Sequence, residues 1–393
     1  MAHQVVYPDK FAFIDQALAE RSQTRRLRSL YPLYPEDAVY VLKQEQRLLN
    51  FSSNDYLGLS KHPLLIRAAQ HYISQYGTGA TASRLVAGTY DIHQQIEQKL
   101  AVACGREAAL VFTSGFQANS TILVSLLDRQ SLVLCDRLIH NSLIQGILAS
   151  RATFIRYRHN DLNHLEELLK QAIDQSYSRI LIVTETVFSM DGDRSNIDVL
   201  IQLAQQYNTI LYLDDAHAVG VLGKNGMGLA AYHPEIDVVV GTFGKAFGSF
   251  GAFVTCSKKL RDYFINFCPG FIYTTALPPG VMGAIEAALE LMPMLDQDRF
   301  QLSQNANHLC AQFQQIGYNI GASNSQIIPL YIGDEAKTLR LSQWLEEQGI
   351  LAIAIRPPTV PSNTSRIRFA LSSQHRSNQL DYLVHTIRSW HEH

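Results

Sequence analysis

The chain has 393 residues, room for two domains at ~100–200 residues each, and its 33 Lys and Arg against 35 Asp and Glu leave a net charge of −2. That balance excludes the basic excess that a nucleic-acid or anionic-membrane partner requires. Charged residues are only 17% of the chain, against a usual ~25%, beside 47% hydrophobic residues; the combination excludes disorder and predicts a large subunit interface.

In chain order, Met1-Ala2-His3-Gln4 lacks the basic start and apolar run of a signal peptide. Residues 10–27 predict an amphipathic helix ending in the patch Arg25-Arg26-Leu27-Arg28. We expect an N-terminal helix-and-strand segment over 1–55, a large domain over 56–292 and a small α+β domain over 293–393. Within the large domain, Leu65–Tyr76 reads as an amphipathic helix. From Glu107 onward, continuous apolar runs alternate with helical patterns. The runs are Ala109–Thr113, Leu132–Cys135, Thr153–Tyr157, Ile180–Thr184, Ile210–Leu213, Val238–Thr242 and Ala252–Thr255. Such runs between helices predict an α/β fold on a buried, mostly parallel central sheet. Proline in Met292-Pro293-Met294 ends the helix that starts near Pro279, and the remainder reads as helix, strand, helix, strand, strand, helix. The five cysteines are widely spaced and never form a C-x-x-C pair, so we read reduced thiols of a cytoplasmic protein. No apolar stretch approaches the ~20 residues of a spanning helix.

Parallel sheets place their ligands beyond the carboxyl ends of the strands. Ser114-Gly115-Phe116 opens a helix whose N–H groups suit a phosphate. His140 follows the second run, and Ser189 follows the fourth. Asp214-Asp215-Ala216-His217 ends the fifth, and Thr242-Phe243-Gly244-Lys245 ends the sixth. One cofactor asks for that set. Pyridoxal phosphate needs a lysine, a carboxylate facing its ring nitrogen, a phosphate cradle and a flat group against the ring. Asp214 is expected to stay ionised beside the pyridinium charge, and desolvation to favour the free amine of Lys245.

These motifs resemble the α-oxoamine synthase family of fold-type I pyridoxal-phosphate enzymes. The resemblance includes Asn50–Leu59, Thr113–Asn119, Val187–Asp193, Asp214–His217, Thr242–Lys245 and Tyr273–Pro279. It implies a catalytic set of Lys245, His140, Asp214 and His217. Lys245 would carry the cofactor and act as general base; Asp214 would keep the ring protonated, and His217 would bond its phenolic oxygen. Gly115, Phe116, Ser189 and Thr242 would complete the cofactor site. Thr274 and Thr275 would reach the partner's cofactor phosphate in a homodimer with a shared active site. His140 would stack on the ring and meet the substrates. Arg368 would grip an amino-acid carboxylate, and Arg28 and Thr359 the acyl substrate. Within the family, Ala354-Ile355-Arg356-Pro357-Pro358-Thr359-Val360-Pro361 is similar to the signature of the branch condensing L-alanine with a pimeloyl thioester. The donor would be carried on CoA or on acyl-carrier protein. The alternative is a sister synthase using glycine and another acyl-CoA.

Rival motifs fail on their context. Gly77-Thr78-Gly79-Ala80-Thr81-Ala82 follows a helix rather than a strand, which excludes a dinucleotide fingerprint. Gly244-Lys245-Ala246 lacks the Ser or Thr of a nucleotide P-loop. His159 and His164 are spaced for different helix faces, with Asn160-Asp161 between them reading as a helix cap.

Overall fold

The computed structural model describes residues 9–390; the signal-peptide reading of Met1–Gln4 lies outside them. The N-terminal part carries α1 (Ala12–Gln23), β1 (Tyr34–Pro35), β2 (Tyr40–Lys43), β3 (Gln46–Asn50), α2 (Pro63–Tyr76) and α3 (Asp91–Ala103). The central part runs β4 (Ala108–Phe112), α4 (Gly115–Leu126), β5 (Ser131–Asp136), α5 (Asn141–Ser150), β6 (Thr153–Tyr157) and α6 (Leu162–Ala172). It continues through β7 (Arg179–Glu185), α7 (Ile197–Gln206), β8 (Ile210–Asp214), β9 (Val238–Thr242), β10 (Ala252–Cys256), α8 (Lys258–Phe267), α9 (Pro269–Ile272) and α10 (Pro279–Leu291). The last part holds α11 (Asp296–Gln315), β11 (Ile327–Gly333), α12 (Glu335–Glu347), β12 (Ile350–Leu351), β13 (Ile353–Ile355), β14 (Ser365–Ala370) and α13 (Ser377–Ser389).

Strands β4 to β10 form one seven-stranded sheet in the order β4-β10-β9-β8-β7-β5-β6. The pairs among β5 to β9 are parallel, and β10 runs antiparallel to β4 and β9. Alternation decides which face each side chain serves. Val133, Cys135, Leu181, Val183 and Tyr212 pack against α4 and α5, whereas Leu132, Leu134, Ile182, Leu211 and Leu213 pack against α6 and α7. Burial on both faces is why these strands read as unbroken apolar runs. Short polar caps start the flanking helices: the side chains of Ser114, Asp161, Asn196 and Ser257 accept N–H bonds from their first turns.

Two smaller sheets flank this core. β11, β14 and β13 pair antiparallel, while β3 pairs in parallel with β12, bringing Leu49 opposite Ile350. The chain breaks at Ala352, so that β12 and β13 serve different sheets and the last part holds one more strand than the expected helix, strand, helix, strand, strand, helix. The N-terminal helix is also shorter than its pattern. It ends at Gln23, Arg25 adopts a left-handed φ of +55°, and none of its side chains is buried. Its apolar residues, Phe13 among them, face outward rather than into the chain's own core.

Candidate active site

The parallel ladder sets the centre of the site. Glu185 and Asp214 are opposed residues at the ends of β7 and β8, and Lys245 follows β9. Asp214 is buried; its Oδ1 accepts the Ala216 N–H at 2.9 Å and its Oδ2 the Asn119 amide at 2.7 Å. Asn119 is held in turn by the Tyr212 hydroxyl, which donates to its Oδ1 at 2.8 Å, and bonds Ser142 Oγ at 3.0 Å. Two neighbouring aspartates thus have different surroundings. Asp215 turns away and accepts from the Leu229 and Ala230 N–H groups and from Thr186 Oγ1. Burial pushes its carboxyl up to about 7 despite those bonds.

Lys245 is half-buried, and no hydrogen bond or ion pair among the described residues engages its Nζ. Burial lowers its pKa to about 8, against the opposing pull of Asp214 and Glu185. The turn before it is shaped by Thr242, whose hydroxyl donates to Gly251 O at 3.0 Å and accepts the Gly244 N–H at 3.1 Å. His217 is buried and held well below the ordinary imidazole range by burial, with Lys245, Arg368 and His140 adding positive charge nearby. The ring is therefore neutral. Its Nδ1 lies 2.7 Å from the Tyr56 hydroxyl, and its Nε2 is uncommitted among the described residues. His140 caps α5, exposed at the mouth of the site, with Nδ1 2.8 Å from Ser142 Oγ.

The N-terminus of α4 completes this side. Ser114 Oγ accepts the Gln117 N–H at 3.1 Å, while the N–H groups of Gly115 and Phe116 bond no described residue. A Cβ built on Gly115 would meet nothing within 4 Å, so space stands open in front of those donors. Ser189 is buried and its hydroxyl likewise lacks a partner among the described residues. An unengaged amine, an unengaged imidazole nitrogen, an unengaged hydroxyl and free helix N–H groups around an anchored carboxylate fit the donors and charges of pyridoxal phosphate.

The remaining sequence candidates fall in three places. Arg368 on β14 donates from Nε to Ser189 O at 2.6 Å and from Nη2 to Asn54 Oδ1 at 3.1 Å, leaving Nη1 uncommitted among the described residues. Arg28 and Thr359, 331 residues apart in the chain, meet at 3.3 Å. Thr274 and Thr275 lie on the loop after α9, where Thr275 bridges Ser83. Among the described residues, no hydrogen bond ties either to the strand-end cluster.

Sequence reading missed four contributors. Glu185 is buried with Oε1 unpaired, and burial together with Asp214 holds its carboxyl well above the usual range. Asn119 sits one helical turn after Gly115, so its i+4 spacing was a usable signal. Tyr56 and Asn54 lie in the Asn50–Leu59 motif, but their roles had no local signal: Asn54 Oδ1 accepts the Tyr56 hydroxyl at 3.0 Å, while Tyr56 meets His217 across 161 residues and Asn54 meets Arg368 across 314.

Comparison with known proteins agrees with this geometry. The family model described as aminotransferase class I and II matches residues 46–387. A protein of Desulfosudis oleivorans, provisionally named an 8-amino-7-oxononanoate synthase, is 50% identical over 381 residues, covering 97% of this chain and 99% of the relative. The 8-amino-7-oxononanoate synthase of Gluconacetobacter diazotrophicus is 46% identical over 379 residues, 95% of each chain. Among solved structures, one of SPT with PLP superposes with a TM-score of 0.91 at 25% identity, covering 97% of this chain and 98% of that one. The 8-amino-7-oxononanoate synthase of Francisella tularensis gives 0.75 at 30% identity, covering 87% and 97%. With the fold, the strand-end cluster and these similarities in agreement, the chain belongs to the aminotransferase class I and II family and, within it, to the pyridoxal-phosphate-dependent α-oxoamine synthases.

Proposed function

We propose that the protein is an 8-amino-7-oxononanoate synthase, condensing L-alanine with a pimeloyl thioester to give 8-amino-7-oxononanoate, CO2 and the free thiol in biotin biosynthesis. The observation that carries this reading is the meeting of Arg28 with Thr359. Arg356 stands beside them and donates to Arg25 O, while Arg26 and Arg28 lower its pKa after burial does. Among the described residues, only Arg26 of this group has a carboxylate partner, Glu335 at 2.7 Å. An open cluster of guanidinium groups with a hydroxyl suits an acyl chain that ends in a carboxylate. A palmitoyl or acetyl chain offers nothing for it to bind.

Pyridoxal phosphate, when bound, supplies an electron sink for the carbanion formed beside the substrate amino group. The chain's own groups do the rest. The N–H groups of Gly115 and Phe116 and the hydroxyls of Ser189 and Thr242 would hold the cofactor, and Thr274 and Thr275 would reach the site of a second subunit. Asp214, fixed by Asn119, would serve the ring nitrogen. His217, kept neutral and oriented by Tyr56, would bond the ring oxygen, and His140 would stack on the ring. Arg368 orients alanine by its carboxylate. The Lys245 amine, its pKa lowered to about 8, would take the Cα proton in its uncharged form. Over the whole reaction a C–C bond would form between the alanine Cα and the thioester carbonyl carbon as the C–S bond breaks, and the alanine carboxyl would leave as CO2 with a proton taking its place.

Thiol release measured in parallel with alanine, glycine and serine, each against pimeloyl-, acetyl- and palmitoyl-CoA, tests the reading. Alanine with pimeloyl-CoA should be preferred, and Arg28→Ala should raise the pimeloyl-CoA KM about tenfold with little change for alanine. A preference for glycine with acetyl-CoA would replace the reading by a sister synthase.

A further inference from the structure

Two arginines of β14 reach the same loop. Arg366 and Arg368 are two residues apart on the strand and share a face. Arg368 donates from Nε to Ser189 O at 2.6 Å. Arg366 donates from Nη1 to Met190 O at 3.3 Å and to Asp191 Oδ1 at 2.7 Å. The Tyr331 hydroxyl donates to the same Asp191 oxygen at 2.6 Å, and the Arg366 guanidinium lies 4.2 Å from the centre of the Tyr331 ring. Tyr331 and Arg366 are opposed residues of the β11–β14 ladder, so the clamp is built into sheet register rather than into a free loop. Arg366 Nε also donates to Thr364 O at 2.9 Å. Gly192 seals the junction: its φ is +72°, and a Cβ there would strike the carbonyl oxygen of Ile327 on β11.

The two arginines differ in what they leave over. Arg366 is 2% exposed, and its Nε and Nη1 are spent on backbone, carboxylate and phenol. Arg368 holds the loop by Nε and keeps Nη1 open. We propose that Asp191, Arg366 and Tyr331 are positioning residues for the amino-acid substrate: they lock the 189–191 loop onto β14, so that the Ser189 carbonyl holds the Arg368 guanidinium in the orientation that receives the substrate carboxylate. This rests on the reading of Arg368 given under the proposed function. The physical reason is geometric. A two-pronged carboxylate contact needs the guanidinium plane fixed, and a misplaced substrate costs rate out of proportion to the displacement.

The test uses the cofactor-loaded protein without acyl donor and follows alanine binding by the change in cofactor absorbance. Asp191→Asn should raise the alanine dissociation constant about tenfold, and Tyr331→Phe about threefold. Cofactor affinity should stay at the wild-type level in both. In turnover, the alanine KM should rise with kcat and the pimeloyl-CoA KM within about twofold. Arg368→Ala is the control. If it weakens alanine binding and the clamp variants do not, the positioning role is wrong while the reading of Arg368 stands. If Arg368→Ala itself leaves alanine binding unchanged, both fall. An equal loss of alanine and cofactor affinity in the clamp variants would also overturn the proposal, since it would mark a general structural role. Should Asp191→Asn fail to fold, Tyr331→Phe, which removes the hydroxyl's two hydrogen bonds and no charge, decides alone.

Discussion

Lys245 gathers the electrostatic consequences of every strand end around it. Its amine stands half-buried beside Asp214 and Glu185, which favour the charge, yet burial outweighs them and lowers its pKa to about 8 from an ordinary 10.5. A lysine so placed is a competent base near neutral pH, where a surface lysine is fully protonated. The cofactor-free protein should therefore show Lys245 acylated by an amine-specific reagent with a pH midpoint near 8. Peptide mapping separates it from the other lysines, and a midpoint above 10 would contradict the environment described. His217 makes the complementary case: burial, with the positive charges of Lys245 and Arg368 nearby, keeps it neutral, so that Tyr56 decides which ring nitrogen faces the cofactor pocket.

At the scale of elements, the loop after β7 is pinned at both ends. Asp191 holds β14, and Asp193 holds the large sheet through His159. Nδ1 of that imidazole lies 3.0 Å from Asp136 Oδ1, and Nε2 lies 2.9 Å from Asp193 Oδ2. Both ring nitrogens facing carboxylates require the cation. Burial opposes that charge, but the two carboxylates prevail and raise the pKa to about 10. A raised pKa stabilises the fold fully below the unfolded value of 6.5, and the contribution disappears as pH climbs through about 10. His159→Gln should therefore lower the thermal midpoint at pH 6, at a cost of about 3–5 kcal/mol for breaking a buried charge network. The gap from wild type should close between pH 6.5 and about 10; a pH-independent gap would contradict the bridging cation. The strands behind this loop were legible because burial on both faces writes them as unbroken Val, Ile and Leu runs. The clustering of the candidate residues at strand ends was legible because parallel topology brings those ends together. The clamp was not, since Asp191, Arg366 and Tyr331 belong to separate segments and carry no local pattern. The switch of residues 350–355 between two sheets was equally hidden, because a two-residue strand has no periodicity to read.

Over the whole molecule, the low charged fraction acquires a location. The N-terminal segment presents Phe11, Phe13, Tyr31 and Tyr34 to the outside, and Leu30 is fully exposed. Such a run of unpacked apolar side chains is what a subunit interface covers. Thr275 is exposed as well. We propose a homodimer whose sites are completed across the interface. Sedimentation at micromolar concentration should give twice the chain mass, and a monomer that binds cofactor at full affinity would contradict it. The central claim is decarboxylative condensation driven by Lys245, and carboxyl-labelled alanine tests it most directly. Labelled CO2 should appear only when pimeloyl thioester is present, in equal amount to the released thiol, and not at all with Lys245→Ala. Labelled CO2 without the thioester, or thiol release that survives Lys245→Ala, would contradict it.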